Sequence, residues 1–218
     1  MVARKSSESV ADVQPQLRQP GSVLGPRANR TIAVILDATR QIFMDRGYAG
    51  TTIDDIARAA GISRGSFYTY FPSKRDVLLA LGTDSLTEAS QVIRELEELG
   101  AGWAAADVEA WVDRYLAMLD DHGAFAYAWT QAATEDEEIR RAGMRGHLAL
   151  CRHMGRAMGR LSGGGAKGGD EVAVGLATTA MFERMWVYLR LYGDAVDRAS
   201  VRRTLSRAVA PAVAGVYS

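Results

Sequence analysis

Apolar residues recur three and four positions apart along most of this chain, the spacing of helices that each bury one face. Over residues 29–46 the apolar set is Ile32, Ile35, Leu36, Ile42 and Phe43, one helical stripe closed by Gly47. A compact unit follows in residues 51–74, TTIDDIARAAGISRGSFYTYFPSK. Thr52 is a good N-cap, because its hydroxyl can accept from the free amides of a helix start. Ile53, Ile56, Ala57 and Ala60 then keep helical spacing, and Gly61 stops the helix at little cost in the left-handed region. Ser63 caps a second short helix, which ends before Pro72 because the residue preceding proline is biased out of the helical region. Ser73 caps a third helix, whose stripe of Val77, Leu78, Leu81, Val92, Ile93, Leu96 and Leu99 carries it to about residue 99. Gly82 within it is a point of bending or a tolerated surface glycine.

Beyond a loop at 100–106 the pattern predicts five further stretches of helix. Asp107 caps one bearing Val108, Trp111, Val112, Tyr115, Leu116, Met118 and Leu119, with a break at His122 and Gly123 and a shorter helix after it. Thr134 caps a long one that opens on four acids, Glu135 to Glu138, and continues through His147, Cys151 and Met154 to Leu161. After the glycine-rich loop 162–169, a helix from Asp170 to about Tyr192 is apolar nearly all round, so it must be covered on more than one side. The last helix, 198–217, has a stripe of Val201, Leu205, Val209 and Val213, with Pro211 expected to kink it.

Two short helices joined by a tight glycine-containing turn make a helix-turn-helix, whose second helix enters the DNA major groove. The residues of that helix suit the task. Arg64 has a fork that fits guanine O6 and N7, Gly65 lets the backbone come close, and Ser66, Tyr68, Thr69 and Tyr70 can donate to phosphates. Lys74, in the first turn of the next helix, is placed for another phosphate, while Phe67 and Phe71 form the inward side.

With these residues in view, the chain resembles the TetR family of transcriptional regulators. The resemblance runs from about residue 27 to 80, carried by ILDATRQIFMDRGY, AGTTIDDIARAAGIS and RGSFYTYFPSKRDVLLA. It implies an all-α protein with a three-helix helix-turn-helix head and a larger C-terminal helical bundle for ligand binding and dimerisation. It further implies that Thr52, Arg64, Gly65, Ser66, Tyr68, Thr69, Tyr70 and Lys74 face DNA. The expected organisation is an arm over 1–26, a DNA-binding domain over 27–76 and a ligand-binding and dimerisation domain over 77–218. The expected function is that of a homodimeric repressor, released from a palindromic operator in double-stranded DNA by a small apolar or aromatic effector. A helical carrier or enzyme using the helix-turn-helix only for packing is the alternative, and burial of Arg64, Ser66, Tyr68 and Tyr70 would mark it.

Charge changes the picture only in its distribution. The 218 residues carry 26 basic and 26 acidic side chains, but residues 1–76 hold 11 basic against 7 acidic and the remainder 15 against 19. A basic head on an acidic body suits a DNA-binding module. Arg4, Lys5 and Arg18 in the arm read as a solvated tail that could also touch DNA. A single cysteine excludes an intramolecular disulfide and fits a reducing compartment. No apolar run reaches a membrane-spanning length of ~18 residues, and no signal core opens the chain, so a cytoplasmic protein is expected.

No cofactor, metal or catalytic group is expected. The acidic turn at 135–138 has no histidine at ligand spacing and complements a helix dipole instead. The loop SGGGAKGG lacks the Lys-Ser/Thr ending and the preceding strand of a phosphate loop. Cys151 and His153 are two apart on a helix, hence on different faces. An effector pocket is better motivated by large side chains with one polar atom, or none, among the middle helices: Trp111, Tyr115, Trp129, His147, Cys151, Phe182 and Trp186. The dimer interface is expected on the last two helices, at Met181, Met185, Tyr188, Val201, Leu205, Val209 and Val213.

Overall fold

The computed structural model describes residues 25–99, 103–161 and 170–213. The arm with Arg4, Lys5 and Arg18, the loops at 100–102 and 162–169, and the last five residues lie outside the described part, as does the Val213 side chain. The described residues form eight α-helices with one 3-10 turn and no strand. Three make the head: α1 (Pro26–Arg46), α2 (Ile53–Ala59) and α3 (Arg64–Tyr70). The body follows with α4 (Lys74–Glu98), α5 (Ala105–Glu135), α6 (Glu137–Leu161), α7 (Glu171–Tyr192) and α8 (Arg198–Val213).

The caps of the head are those its sequence dictates. Thr52 Oγ1 accepts from the Asp55 amide at 3.1 Å and the Asp55 carboxylate accepts from the Thr52 amide at 3.1 Å, a reciprocal capping box. Ser63 Oγ accepts from the Ser66 amide at 3.1 Å, Ser73 Oγ accepts from the Asp76 amide at 3.3 Å, and Gly61 takes φ 66° in the α2–α3 turn. Phe67 and Phe71 point inward with Ile35, Phe43 and Ile56. This core does not stop at the head, because Val77, Leu78 and Leu81 of α4, Ala128 and Ala132 of α5 and Ile139 of α6 complete it. The head is thus seated on the body.

Several expected boundaries move. Helix α5 runs unbroken through His122 and Gly123. Gly123 is there for clearance, since a β-carbon on it would lie 2.7 Å from the Trp186 ring. Gly82 does the same for Phe125, again at 2.7 Å, and produces no break in α4. Asp107 sits in the first turn of α5, where its carboxylate accepts from the Ala104 amide at 2.7 Å. Thr134 lies inside α5 and donates to the Gln131 carbonyl at 2.7 Å. The cap of α6 is Asp136, which accepts from the Glu138 and Ile139 amides at 2.9 and 3.1 Å.

The stripe of α8 also has a different destination from the expected one. Val201, Leu205 and Val209 are buried in the core of their own body, with Trp111, Tyr115, Leu116 and Met154. They close the bundle and are not available to a second subunit. Helix α7 divides instead. Phe182 and Trp186 face inward, Met181 and Met185 are half-buried, and Val174, Leu176, Tyr188, Leu191 and Tyr192 remain exposed.

Candidate functional site

On α3, Arg64, Gly65, Tyr68 and Thr69 face solvent, while Ser66 and Tyr70 are half-buried and Tyr70 packs on the head core. Ser63 and Ser66 lie at the N-terminal end, where the helix dipole and free amides favour anions. The Arg64 guanidinium is engaged. Its Nη1 donates to both carboxylate oxygens of Asp54 at 2.9 and 2.8 Å, and its Nη2 donates to the Tyr68 hydroxyl at 3.2 Å. Sequence reasoning missed Asp54. Its position in the first turn of α2 reads as a dipole complement, and only the crossing of α2 and α3 brings it to Arg64. Thr52 is exposed but its hydroxyl donates to Asp55 at 2.6 Å, and Thr69 donates back to the Gly65 carbonyl at 3.2 Å.

Lys74 departs from its expected role. Its Nζ donates to the Tyr48 and Thr51 carbonyls at 2.6 and 2.7 Å and lies 4.2 Å from the centre of the Tyr48 ring. Burial holds its pKa below the ordinary lysine value. The ammonium therefore ties the α1–α2 turn to the start of α4 rather than reaching outward. We expect Lys74→Ala to destabilise the chain by roughly 1–3 kcal/mol, the range for hydrogen bonds to a charged group with partners left unsatisfied. Urea unfolding would measure it, and an unchanged midpoint would contradict this placement.

The same region joins head to body. The Tyr48 amide donates to Gln131 Oε1 at 3.2 Å, and Arg75 donates to Asp136 at 2.6 Å and to Glu138. The Asp136 carboxyl is held below its usual range, chiefly by the Ile139 amide.

In the body, α4, α5, α6 and α7 enclose a cavity of about 40 Å³. Tyr115, Phe125, Trp129, His147 and Glu183 supply its aromatic and polar walls, and Leu86, Met118 and Leu150 line the rest. A groove of about 650 Å³ lies alongside, between α5 and α7, with Gln131, Arg184 and Trp186 on its walls. Glu183 lines both spaces. Burial pushes its carboxyl up to about 7. Burial likewise depresses the His147 imidazole, whose Nε2 is buried without a hydrogen-bond partner.

Of the seven pocket residues expected from sequence, Tyr115, Trp129 and His147 line the cavity and Trp186 lines the groove. The other three are core. Trp111 donates to the Val92 carbonyl at 2.8 Å, Phe182 packs on Tyr115 with ring centres 4.6 Å apart, and the buried Cys151 sulfur lies 3.6 Å from Thr179 Oγ1. Their side chains are already satisfied by protein neighbours. Phe125 and Leu86 escaped sequence reasoning because they share the cavity through the α4–α5 crossing, which no local spacing reveals. Among the described residues no group of three metal-ligating side chains forms, and no helix is long and apolar enough to cross a membrane.

Comparison with known proteins bears on both halves. Residues 35–81 match the family of bacterial regulatory proteins called the tetR family. The chain is 38% identical over 81 residues to the HTH-type transcriptional regulator EthR of Mycobacterium tuberculosis, a match covering 34% of this chain and 38% of that protein. The likeness to this curated relative thus spans well under half of its length. Among solved structures, the fatty acid degradation regulator FadR from Bacillus halodurans superposes with a TM-score of 0.66 at 19% identity, covering 90% of this chain and 99% of that one. FadR from Bacillus subtilis, solved in complex with stearoyl-CoA, superposes with a TM-score of 0.57 at 18% identity, covering 81% and 96%. The N-terminal head thus resembles the tetR family of bacterial regulatory proteins over residues 35–81, and the chain shares its helical fold with these solved structures.

Proposed function

We propose that this chain is a ligand-responsive transcriptional regulator, a homodimeric repressor that leaves a near-palindromic operator when a small effector enters the helical body. The observation that carries the reading is the solvent face of α3. A helix-turn-helix kept only for packing would bury Arg64, Ser66, Tyr68 and Tyr70, and here the Arg64 side chain is 58% exposed and Tyr68 43%, with Ser66 and Tyr70 half-buried. The basic head and the family match support the same reading.

Dimerisation draws on the outer face of α7. Val174, Tyr188 and Tyr192 are exposed and fall on one side of the helix at its period, with the half-buried Met181 and Met185 between them, and an apolar stripe of that kind is unfavourable in a lone soluble subunit. Of the expected interface residues, Met181, Met185 and Tyr188 remain in this proposal. Two heads related by a two-fold axis would then meet half-sites about one DNA turn (~34 Å), or a multiple of it, apart.

The effector site is the cavity with its adjoining groove. Gln131, on the groove wall, holds the Tyr48 amide of the head, so a ligand that moves Gln131 also moves the head. Release requires that the effector prefer the non-binding state, and reversing a population from 1:99 to 99:1 takes a preference of ~10⁴-fold.

The test is selection of bound duplexes from a random DNA pool by the purified chain at about 0.15 M salt. Enrichment of a two-fold symmetric site is the expected result. A folded dimer that enriches nothing, with or without added cell extract, would overturn the regulator reading.

A further inference from the structure

The cavity is faced by the half-buried Glu183 carboxyl and the buried His147 Nε2, and by no cation. Glu183 makes no hydrogen bond or ion pair among the described residues, although it stands where the cavity meets the groove. The walls of the enclosed part contain neither lysine nor arginine. Arg184, the next residue on α7, faces the groove and only partly offsets the cost of burying the Glu183 charge. Across the cavity, His147 has its Nε2 buried and unpartnered, with its ring 5.7 Å from that of Trp129 in an edge-on arrangement. A carboxylate largely withdrawn from water without a partner is costly, and a buried ring nitrogen without one is too. Both costs are relieved by one ligand that brings N–H donors and positive charge.

We infer that the effector is a compact organic cation, an apolar and partly aromatic molecule carrying one protonated nitrogen, with Glu183 as its counter-ion and His147 as a neutral acceptor. The inference rests on the reading of this cavity as the effector site. The aromatic walls agree with it, since Tyr115, Phe125 and Trp129 line the cavity and aromatic rings attract cations. A carboxylate or phosphate ligand would meet Glu183 with no opposing charge in the enclosed space. The small enclosed volume places the charged end inside and the remainder of the molecule in the groove.

The groups facing Glu183 also define a pH signature. They are Arg184 on its own helix, Tyr115 from α5, and Cys151 and His147 from α6; the α4 wall, Ser85, Leu86 and Ala89, is not ionisable. Burial raises both the Tyr115 hydroxyl and the Cys151 thiol, so neither ionises below Glu183. An ammonium ligand selects the ionised form of Glu183, whose carboxyl in the free protein titrates near 7. Affinity therefore rises as the pH is raised through that value.

The experiment is calorimetric titration of the full chain with 2-phenylethylamine, 2-phenylethanol and phenylacetate at about pH 6 and about pH 8, conditions that bracket the Glu183 carboxyl and leave the amine protonated. The expected result is that the amine binds about tenfold or more tighter than the alcohol at the higher pH, with phenylacetate weakest. Its advantage should shrink at the lower pH, and Glu183→Gln should bring the amine down to the affinity of the alcohol. Equal binding of amine and alcohol, no binding of the amine, or an undiminished amine affinity in Glu183→Gln would overturn the inference. The amine–alcohol comparison on the unsubstituted chain stands even if that variant folds poorly. The DNA selection separates the two proposals. A chain that enriches a symmetric site but shows no amine preference loses only the cationic effector, and one that prefers the amine but enriches no DNA loses only the regulator reading.

Discussion

Gly175→Ala should destabilise the protein by about 3 kcal/mol, at the upper end of what overpacking costs. Helices α6 and α7 approach backbone to backbone. A β-carbon on Gly175 would land on the Cys151 carbonyl oxygen, well inside contact distance, and one on Gly155 would land on the Glu171 carbonyl oxygen. Alanine is the better helix former, by about 1 kcal/mol, but that gain is smaller than the cost of moving two main chains apart. A flexible side chain could swing aside, whereas a carbonyl inside a helix cannot move without its hydrogen-bonded turn. Gly65→Ala is the control. It also lies in a helix, but its β-carbon would meet only Ser63 Oγ, at 3.9 Å. Urea unfolding of the two variants should give a lowered midpoint for Gly175→Ala and a midpoint no lower than that of the parent for Gly65→Ala. A parent-like midpoint for Gly175→Ala would show that the seam is looser than described. The seam matters for function because it sets α7 against α6 and so sets Glu183 against His147.

The second large effect concerns DNA. Arg64→Ala should weaken the selected operator roughly five- to hundredfold and relax preference at one base pair, the range for loss of a bidentate base contact. The Asp54 pair adds a sharper expectation. A guanine needs both arms of the guanidinium fork, and in the free protein one arm is held by Asp54 and the other by Tyr68. The pair must open on binding, so Asp54→Asn should raise operator affinity by about two- to fivefold, the scale of an exposed ion pair. Fluorescence anisotropy with the selected duplex measures both variants. If Asp54→Asn weakens binding instead, the aspartate positions Arg64 for its base and the pair persists on DNA. Lys74→Ala serves as a contrast. With its ammonium spent on two carbonyls, it should leave the slope of log affinity against log salt unchanged, where a lost phosphate contact would reduce it by about one.

The sequence by itself determined what depends on neighbours within a few residues. The Thr52, Ser63 and Ser73 caps, the left-handed Gly61 and the inward Phe67 and Phe71 are local chemistry, so the helices of the head and their inward side were legible. So was the existence of helices beyond it, because their apolar stripes have the helical period. The tertiary structure alone decided what those stripes face. Val201, Leu205 and Val209 form the same stripe whether they meet α5 and α6 of their own chain or a second subunit, and periodicity cannot distinguish the two. In the sequence Gly123 looks like a break and Gly82 like a bend or a surface glycine, yet each is a clearance for a ring that arrives from another helix. Trp111 and Trp129 are indistinguishable by type, and which of them lines a cavity depends on where four helices fail to fill the space between them. The same holds for the engagement of Arg64 by Asp54 and of Lys74 by the α1–α2 turn. A long polar side chain has many partners within reach, and only the packing of distant segments selects one.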